Sequence, residues 1–131
     1  MADMRCVVVT PETTVVDLQA SFVALPLFDG EIGIAPSHSP MIGRIGHGEM
    51  RVKGQKGEQS YYLDGGFVQV SDNVVSVLTN RALTRERLDR AEAEALLEKA
   101  NKMIPNNPEM MAIRDRLAAQ ARGQLRMLDK A

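Results

Sequence analysis

The sequence is short of several features that would each have announced a class of protein. One cysteine, Cys6, stands among 131 residues, so no internal disulfide can form, which fits a reducing compartment. The formal net charge is only −1, so no overall field draws the chain to nucleic acid or to anionic lipid. No apolar run approaches the roughly 20 residues that a membrane-crossing helix needs, and the opening MADMRCVVV lacks the long apolar core of a signal peptide. Membrane attachment is therefore expected only through partners. A GxxxxGK(S/T) phosphate loop is missing, so the chain is not expected to be an ATPase on its own. Ser37 and Ser39 bracket His38, but neighbours on an extended chain point to opposite sides. Cys6 lies in an apolar strand run that suits a buried thiol. His38, His47, Glu31 and Glu49 are the candidate metal ligands, yet only His47 and Glu49 stand two apart and nothing completes the set. No metal and no catalytic residue is expected.

What is present is an ordinary globular composition, 44% hydrophobic and 25% charged, with room for one domain and a modest appendage. The composition breaks near Leu83. All twelve valines and nine of the ten glycines precede that point, and alanine, leucine and charged residues follow it. Valine suits a pleated surface and alanine a helix, because the first is stiff at Cβ and the second loses no rotamer freedom. The expected architecture is α+β: a β-sandwich over about 1–83, then a helical hairpin over about 84–131.

In the first part, Arg5–Thr10 reads as a strand ended by Pro11. Val15–Leu27 reads as one or two more, with Leu18, Ala20, Phe22, Ala24 and Pro26 on one side. Turns are expected at Phe28-Asp29-Gly30, at the tip Lys53–Glu58, at Asp64-Gly65-Gly66 and at Ser71-Asp72-Asn73. The stretch Asp29–Val52 holds five glycines and reads as half-strands between corners, a surface loop that presents Glu31 and His38 at its rim. About 8–10 short strands at this spacing make a sandwich or flattened barrel.

In the second part, Thr84 is the expected N-cap of a helix whose stripe is Ala93, Leu96, Leu97, Ala100, Met103 and Ile104, stopped by Pro105. Asn107 and Pro108 open a second helix with the stripe Met110, Ile113, Leu117, Ala118, Ala121, Leu125 and Leu128. A short turn makes the two antiparallel. Alanine-rich stripes bury little area at about 25 cal/mol per Å², so the hairpin is expected to be weakly held and able to move.

Two blocks carry a resemblance. Gly30–Val52, GEIGIAPSHSPMIGRIGHGEMRV, and Tyr62–Val70, YLDGGFVQV, followed by Asp72–Thr79, resemble in order and spacing the epsilon subunit of bacterial F-type ATP synthases, related to chloroplast epsilon and mitochondrial delta subunits. The likeness covers almost the whole chain. It implies a non-catalytic central-stalk subunit, peripheral on the cytoplasmic face of the bacterial plasma membrane, coupling proton flow to ATP synthesis. Its implied partners are the γ subunit, the membrane ring of c subunits and, transiently, the catalytic α and β subunits, with no nucleic acid. Glu31 and His38 would meet the ring and stalk. Some members bind ATP in the folded-down hairpin; the matching residues here would be Asp89, Arg122 and Arg126, but Glu92 stands where the pattern has arginine, so ATP is expected at most as a weak regulatory ligand unless Arg90 compensates. No other cofactor is implied. The plain alternative is a solvated charged face; the resemblance also implies an inhibitory role, with Arg114, Arg116, Arg122 and Arg126 opposing ATP hydrolysis by contacting acidic segments of the catalytic subunits. The rival reading is a free small β-barrel enzyme binding a metal or small molecule.

Overall fold

The computed structural model describes residues 3–130. Seven strands and two helices follow in order: β1 (Met4–Val9), β2 (Thr14–Leu27), β3 (Gly30–Ile34), β4 (Met41–Gly54), β5 (Gly57–Ser71), β6 (Val74–Leu78), β7 (Ala82–Leu83), a single 3-10 turn at Arg85–Arg87, then α1 (Arg90–Lys102) and α2 (Pro108–Asp129). The strand order is β1-β6-β5-β4-β2-β3, and β1 also pairs with β2. That extra pairing closes the sheet into a flattened barrel, with β3 appended to β2 as an edge. β1 and β6 run parallel, whereas the consecutive pairs β1–β2, β2–β3, β4–β5 and β5–β6 are antiparallel.

The turns at 28–29, 55–56 and 72–73 sit where expected, each closing an antiparallel pair. Asp72 and Asn73 both adopt positive φ, 51° and 65°, the conformation that suits a tight hairpin turn. The strands, however, are seven among the described residues rather than about 8–10, because three of them are long enough to serve two layers. β2 is one strand, not two. Its register against β4 shifts between Ala20 and Phe22 and again between Ala24 and Leu27, and the buried set passes from Val16 and Ala20 to Val23, Ala24 and Leu25. Such a bulge reverses which alternate residues face inward, so the single-sided stripe expected from Leu18 to Pro26 does not hold.

Asp64-Gly65-Gly66 is likewise no hairpin turn. Gly65 and Gly66 take φ of 75° and 117° inside β5, and the strand exchanges its neighbour there, from β7 at Tyr62–Leu63 to β6 at Phe67–Ser71. Most of the stretch read as a loop, Asp29–Val52, is β3 and β4, with only Asp29 and residues 35–40 outside the strands. Its glycines make room for neighbours: a Cβ on Gly33 would lie 2.7 Å from the Phe22 ring, and one on Gly48 3.1 Å from Pro26.

The core lies inside the barrel and is half valine, joined by Met4, Leu25, Ile34, Ile45, Met50 and Leu63 among others. Cys6 is buried there, and that burial pushes its thiol up to about 12. It is an inert thiol.

Thr84 caps only the 3-10 turn, without a side-chain bond; α1 begins at Arg90 with Asp89 as its cap. Asn107 and Pro108 open α2 as expected, the Asn107 side chain accepting from the Met110 amide. α1 stops at Lys102, two residues before Ile104, which is 81% exposed. α1 packs on α2, and α2 lies across β4 and β5.

Candidate functional site

The helix α2 has two seams. Ala118 and Ala121 are buried on one, which serves α1 and its buried Ala93 and Ala100. The other is Gln120, Gly123, Gln124 and Met127, at the same i, i+3, i+4, i+7 spacing. Gly123, Gln124 and Met127 are buried, and the Gly123 backbone approaches β4 so closely that a Cβ there would sit 2.6 Å from the His47 carbonyl oxygen. Ile113, placed on the apolar stripe by its spacing, is 44% exposed.

Beneath the second seam stands Asp64 of β5, its side chain 8% exposed. Its carboxylate accepts from His47 Nδ1 at 2.8 Å, from Gln120 Nε2 at 3.0 and 3.2 Å, from Arg81 Nε at 3.2 Å and from the Tyr62 hydroxyl at 3.4 Å. Thr79 and Asn80 hold the Asp64 backbone from the β6–β7 connection. Burial by itself pushes this carboxyl up; the hydrogen bonds from His47 and Gln120 and the charge of Arg81 outweigh it and hold the group at about 2. Burial, with the Asp64 charge beside it, pushes the Tyr62 hydroxyl well above its usual range.

A carboxyl held below its ordinary 3.8 contributes stability that is present above that value and is lost as pH falls toward about 2. Asp64→Asn should therefore flatten the pH dependence of the urea midpoint across that window. Equal slopes for the two proteins would show that Asp64 is not held by these partners.

The residues singled out by sequence are dispersed. Glu31, near the start of β3, forms an ion pair with Arg51 across β2 at 2.9 Å, both side chains more than a third exposed. Such a pair contributes about 0–1 kcal/mol. His38 lies past the far end of β3, with Nδ1 2.7 Å from the Ser39 carbonyl. Its loop is tied down by the Ser37 amide donating to Asn73 Oδ1 at 2.7 Å. Asp89 spends its carboxylate on the Ala91 and Glu92 amides, at 2.9 and 3.2 Å. Arg90, the cation two residues before Glu92, is paired with Asp129 at 2.7 Å. Arg122 is exposed, Arg126 reaches the His47 carbonyl at 3.5 Å, and Arg114 pairs with its neighbour Asp115.

The metal reading fails on contacts. Glu31 holds Arg51, His47 holds Asp64, and Glu49 holds Lys130 at 2.8 Å. Among the described residues no three His, Cys, Asp or Glu side chains gather where they could hold a metal ion.

An open groove of about 950 Å³ lies between the outer sandwich face and the first half of α2. Arg44, Phe67 and Leu78 form a cross-strand row on β4, β5 and β6. Phe28 lies beside it, its ring 4.8 Å from the Arg44 guanidinium carbon. Phe28 is 71% exposed, Phe67 59%, Leu78 57% and nearby Ile42 77%. Four large apolar side chains left open on one face mark a surface built to be covered.

A closed sandwich with a docked helical hairpin defines the class, and the comparisons agree. Residues 3–85 match the family model described as the beta-sandwich domain of the ATP synthase Delta/Epsilon chain. The chain is 50% identical over 123 residues to the ATP synthase epsilon chain of Rhodopirellula baltica, spanning 94% of this chain and 96% of that one. It is 42% identical over 97 residues to the epsilon chain of a Synechococcus, spanning 74% and 71%. A chain of the Euglena gracilis mitochondrial ATP synthase shares the fold, with a TM-score of 0.86 at 19% identity, over 98% of this chain and 82% of that one. The chain belongs to the ATP synthase epsilon chains, non-catalytic subunits of that enzyme. The rival free enzyme finds no support.

Proposed function

We propose that the chain works as a rotor subunit of the central stalk, seated on γ through its open apolar face and on the c ring through the rim that carries Glu31 and His38. The carrying observation is the exposed group Phe28, Ile42, Phe67 and Leu78. The Euglena relative of the same fold was seen in an assembly of F1 with a c-ring, which supports a place in such a complex. In this reading the sandwich, about 1–83, is the partner-binding unit and the hairpin, about 84–131, is mobile and regulatory. It lies peripheral on the cytoplasmic face of the plasma membrane, held by partners; no described helix is long and apolar enough to cross one. Proton flow through the ring turns the chain with γ and drives ATP synthesis in the catalytic head.

The hairpin restrains hydrolysis when it swings up and sets Arg114, Arg116, Arg122 and Arg126 against acidic surface of the α and β subunits. ATP is at most a weak ligand, because Asp89 and Arg90 already have partners and Glu92 stands where a phosphate would want a cation.

Affinity purification of the tagged chain from detergent-solubilised membranes tests the seat on γ. Phe67→Glu with Leu78→Glu should cut co-purified γ at least tenfold, since charges would be buried unpaired at the interface. Undiminished γ would move the interface elsewhere.

A further inference from the structure

Every partner of the Asp64 carboxylate but one belongs to the sandwich. His47 reaches it from β4, Tyr62 from β5 and Arg81 from the segment between β6 and β7. The exception is Gln120 of α2, whose amide donates toward both carboxylate oxygens. A side-chain amide pointing its donor at a charged, 8% exposed carboxylate is a directional contact, made only when α2 sits in this register on the sheet. Gln124, buried on the same seam, stands against the Tyr62 hydroxyl and leaves the carboxylate itself to Gln120; the outer ties are of another kind. Lys130–Glu49 is a half-exposed ammonium on a flexible stem, and Arg126 only brushes the His47 carbonyl at 3.5 Å. The Tyr62 hydroxyl lies 3.4 Å from both Asp64 and the Gln120 carbonyl and has one proton to give, so it follows the pair rather than setting it.

We infer that Asp64 is the latch of the hairpin: held in place by His47 and Arg81, its carboxylate selects the docked position of α2 by accepting the Gln120 amide. The inference rests on the reading that the hairpin also has an extended position. It adds which contact decides between the two. His47 and Asn80, which touch Asp64, also line the groove beneath Phe28, Phe67 and Leu78. A partner seated in that groove is therefore one side chain away from the latch. Whatever it does to the docked fraction, the docked fraction does in return to its affinity.

Hydrogen exchange of the intact chain, read by mass spectrometry, tests the latch. Gln120→Glu has the size of the native residue and sets a second carboxylate against the first. Amides of 118–127 should then exchange at least tenfold faster, while those of Val68 and Val75 in the core keep their protection. Asp64→Asn combined with Gln120→Glu swaps donor and acceptor and leaves one negative charge for His47 and Arg81, so the double variant should return to within about threefold of the native rate. Unchanged protection in Gln120→Glu overturns the inference. So does a double variant as fast as the single one, or a core that loosens together with the helix. ATP hydrolysis by the assembled enzyme carrying Gln120→Glu bears separately on the braking role. Fast helix exchange with an unchanged hydrolysis rate keeps the latch and removes the brake.

Discussion

Replacing Gly66 by alanine should cost the sandwich roughly 3–5 kcal/mol, a large part of the 5–15 kcal/mol that a domain of this size has. Two effects add. The backbone there has φ of 117°, which side chains rarely adopt, and a Cβ would sit 1.9 Å from the Leu78 carbonyl oxygen and 2.8 Å from the Thr79 Cα. Those atoms are backbone of β6 and of the residue that follows it, fixed by the pairing of Phe67 with Leu78. Neither strand can give way without breaking the seam. Gly57 is the internal comparison: its φ is 115°, nearly the same, and nothing lies within 4 Å of the added atom. Gly57→Ala should cost only the backbone strain, about 1–3 kcal/mol. Urea unfolding of the two variants side by side measures the clash as their difference. Equal losses would mean that β5 and β6 can part at Gly66 without penalty.

Gly123→Ala should detach the hairpin and spare the sandwich. The added methyl would lie 2.6 Å from the His47 oxygen, 3.0 Å from its carbonyl carbon and 3.2 Å from the Tyr62 ring. β4 is flanked by β2 and β5 and cannot retreat, so α2 must lift. Overpacking of this kind costs about 1–3 kcal/mol. The docking seam can ill withstand it, because it adds little apolar burial: no helix residue belongs to the barrel core cluster. The sign of the helix effect separates undocking from unfolding. Alanine favours a helix over glycine by about 1 kcal/mol, so helical circular dichroism should hold or rise while trypsin cuts between Arg114 and Arg126 at least tenfold faster. Slower cutting, with a gain in overall stability, would show that α2 accommodates the methyl in place.

These two glycines also mark where the sequence could and could not be read. Two-residue turns at 28–29, 55–56 and 72–73 were legible, because glycine, asparagine and aspartate between alternating strands admit few other conformations. Gly65-Gly66 carries the same signal but bends a continuous strand, since local composition records the need for positive φ and not whether the chain reverses. Thr84 and Asp89 are both good caps by type; which one starts the α-helix depends on where the chain leaves β7. On α2 the apolar stripe was visible and the docking seam was not, because Gln120, Gly123 and Gln124 have no hydrophobic signature. A helix carrying two glutamines and its one glycine at core spacing was the available clue. Asp64 looked like a turn residue because its partners come from positions 47, 81 and 120, and only the folded barrel brings them together.

Whether the open face and the rim serve as seats for partners is decided in the assembled enzyme. Vesicles carrying the ATP synthase stripped of its epsilon chain offer the most direct measurement: ATP-driven proton pumping per ATP hydrolysed, before and after adding this chain. The native chain is expected to restore pumping, and Phe67→Glu with Leu78→Glu is expected not to. Pumping that stays low with the native chain, or recovers equally with the charged variant, would contradict the assignment of that face as the seat on the rotor.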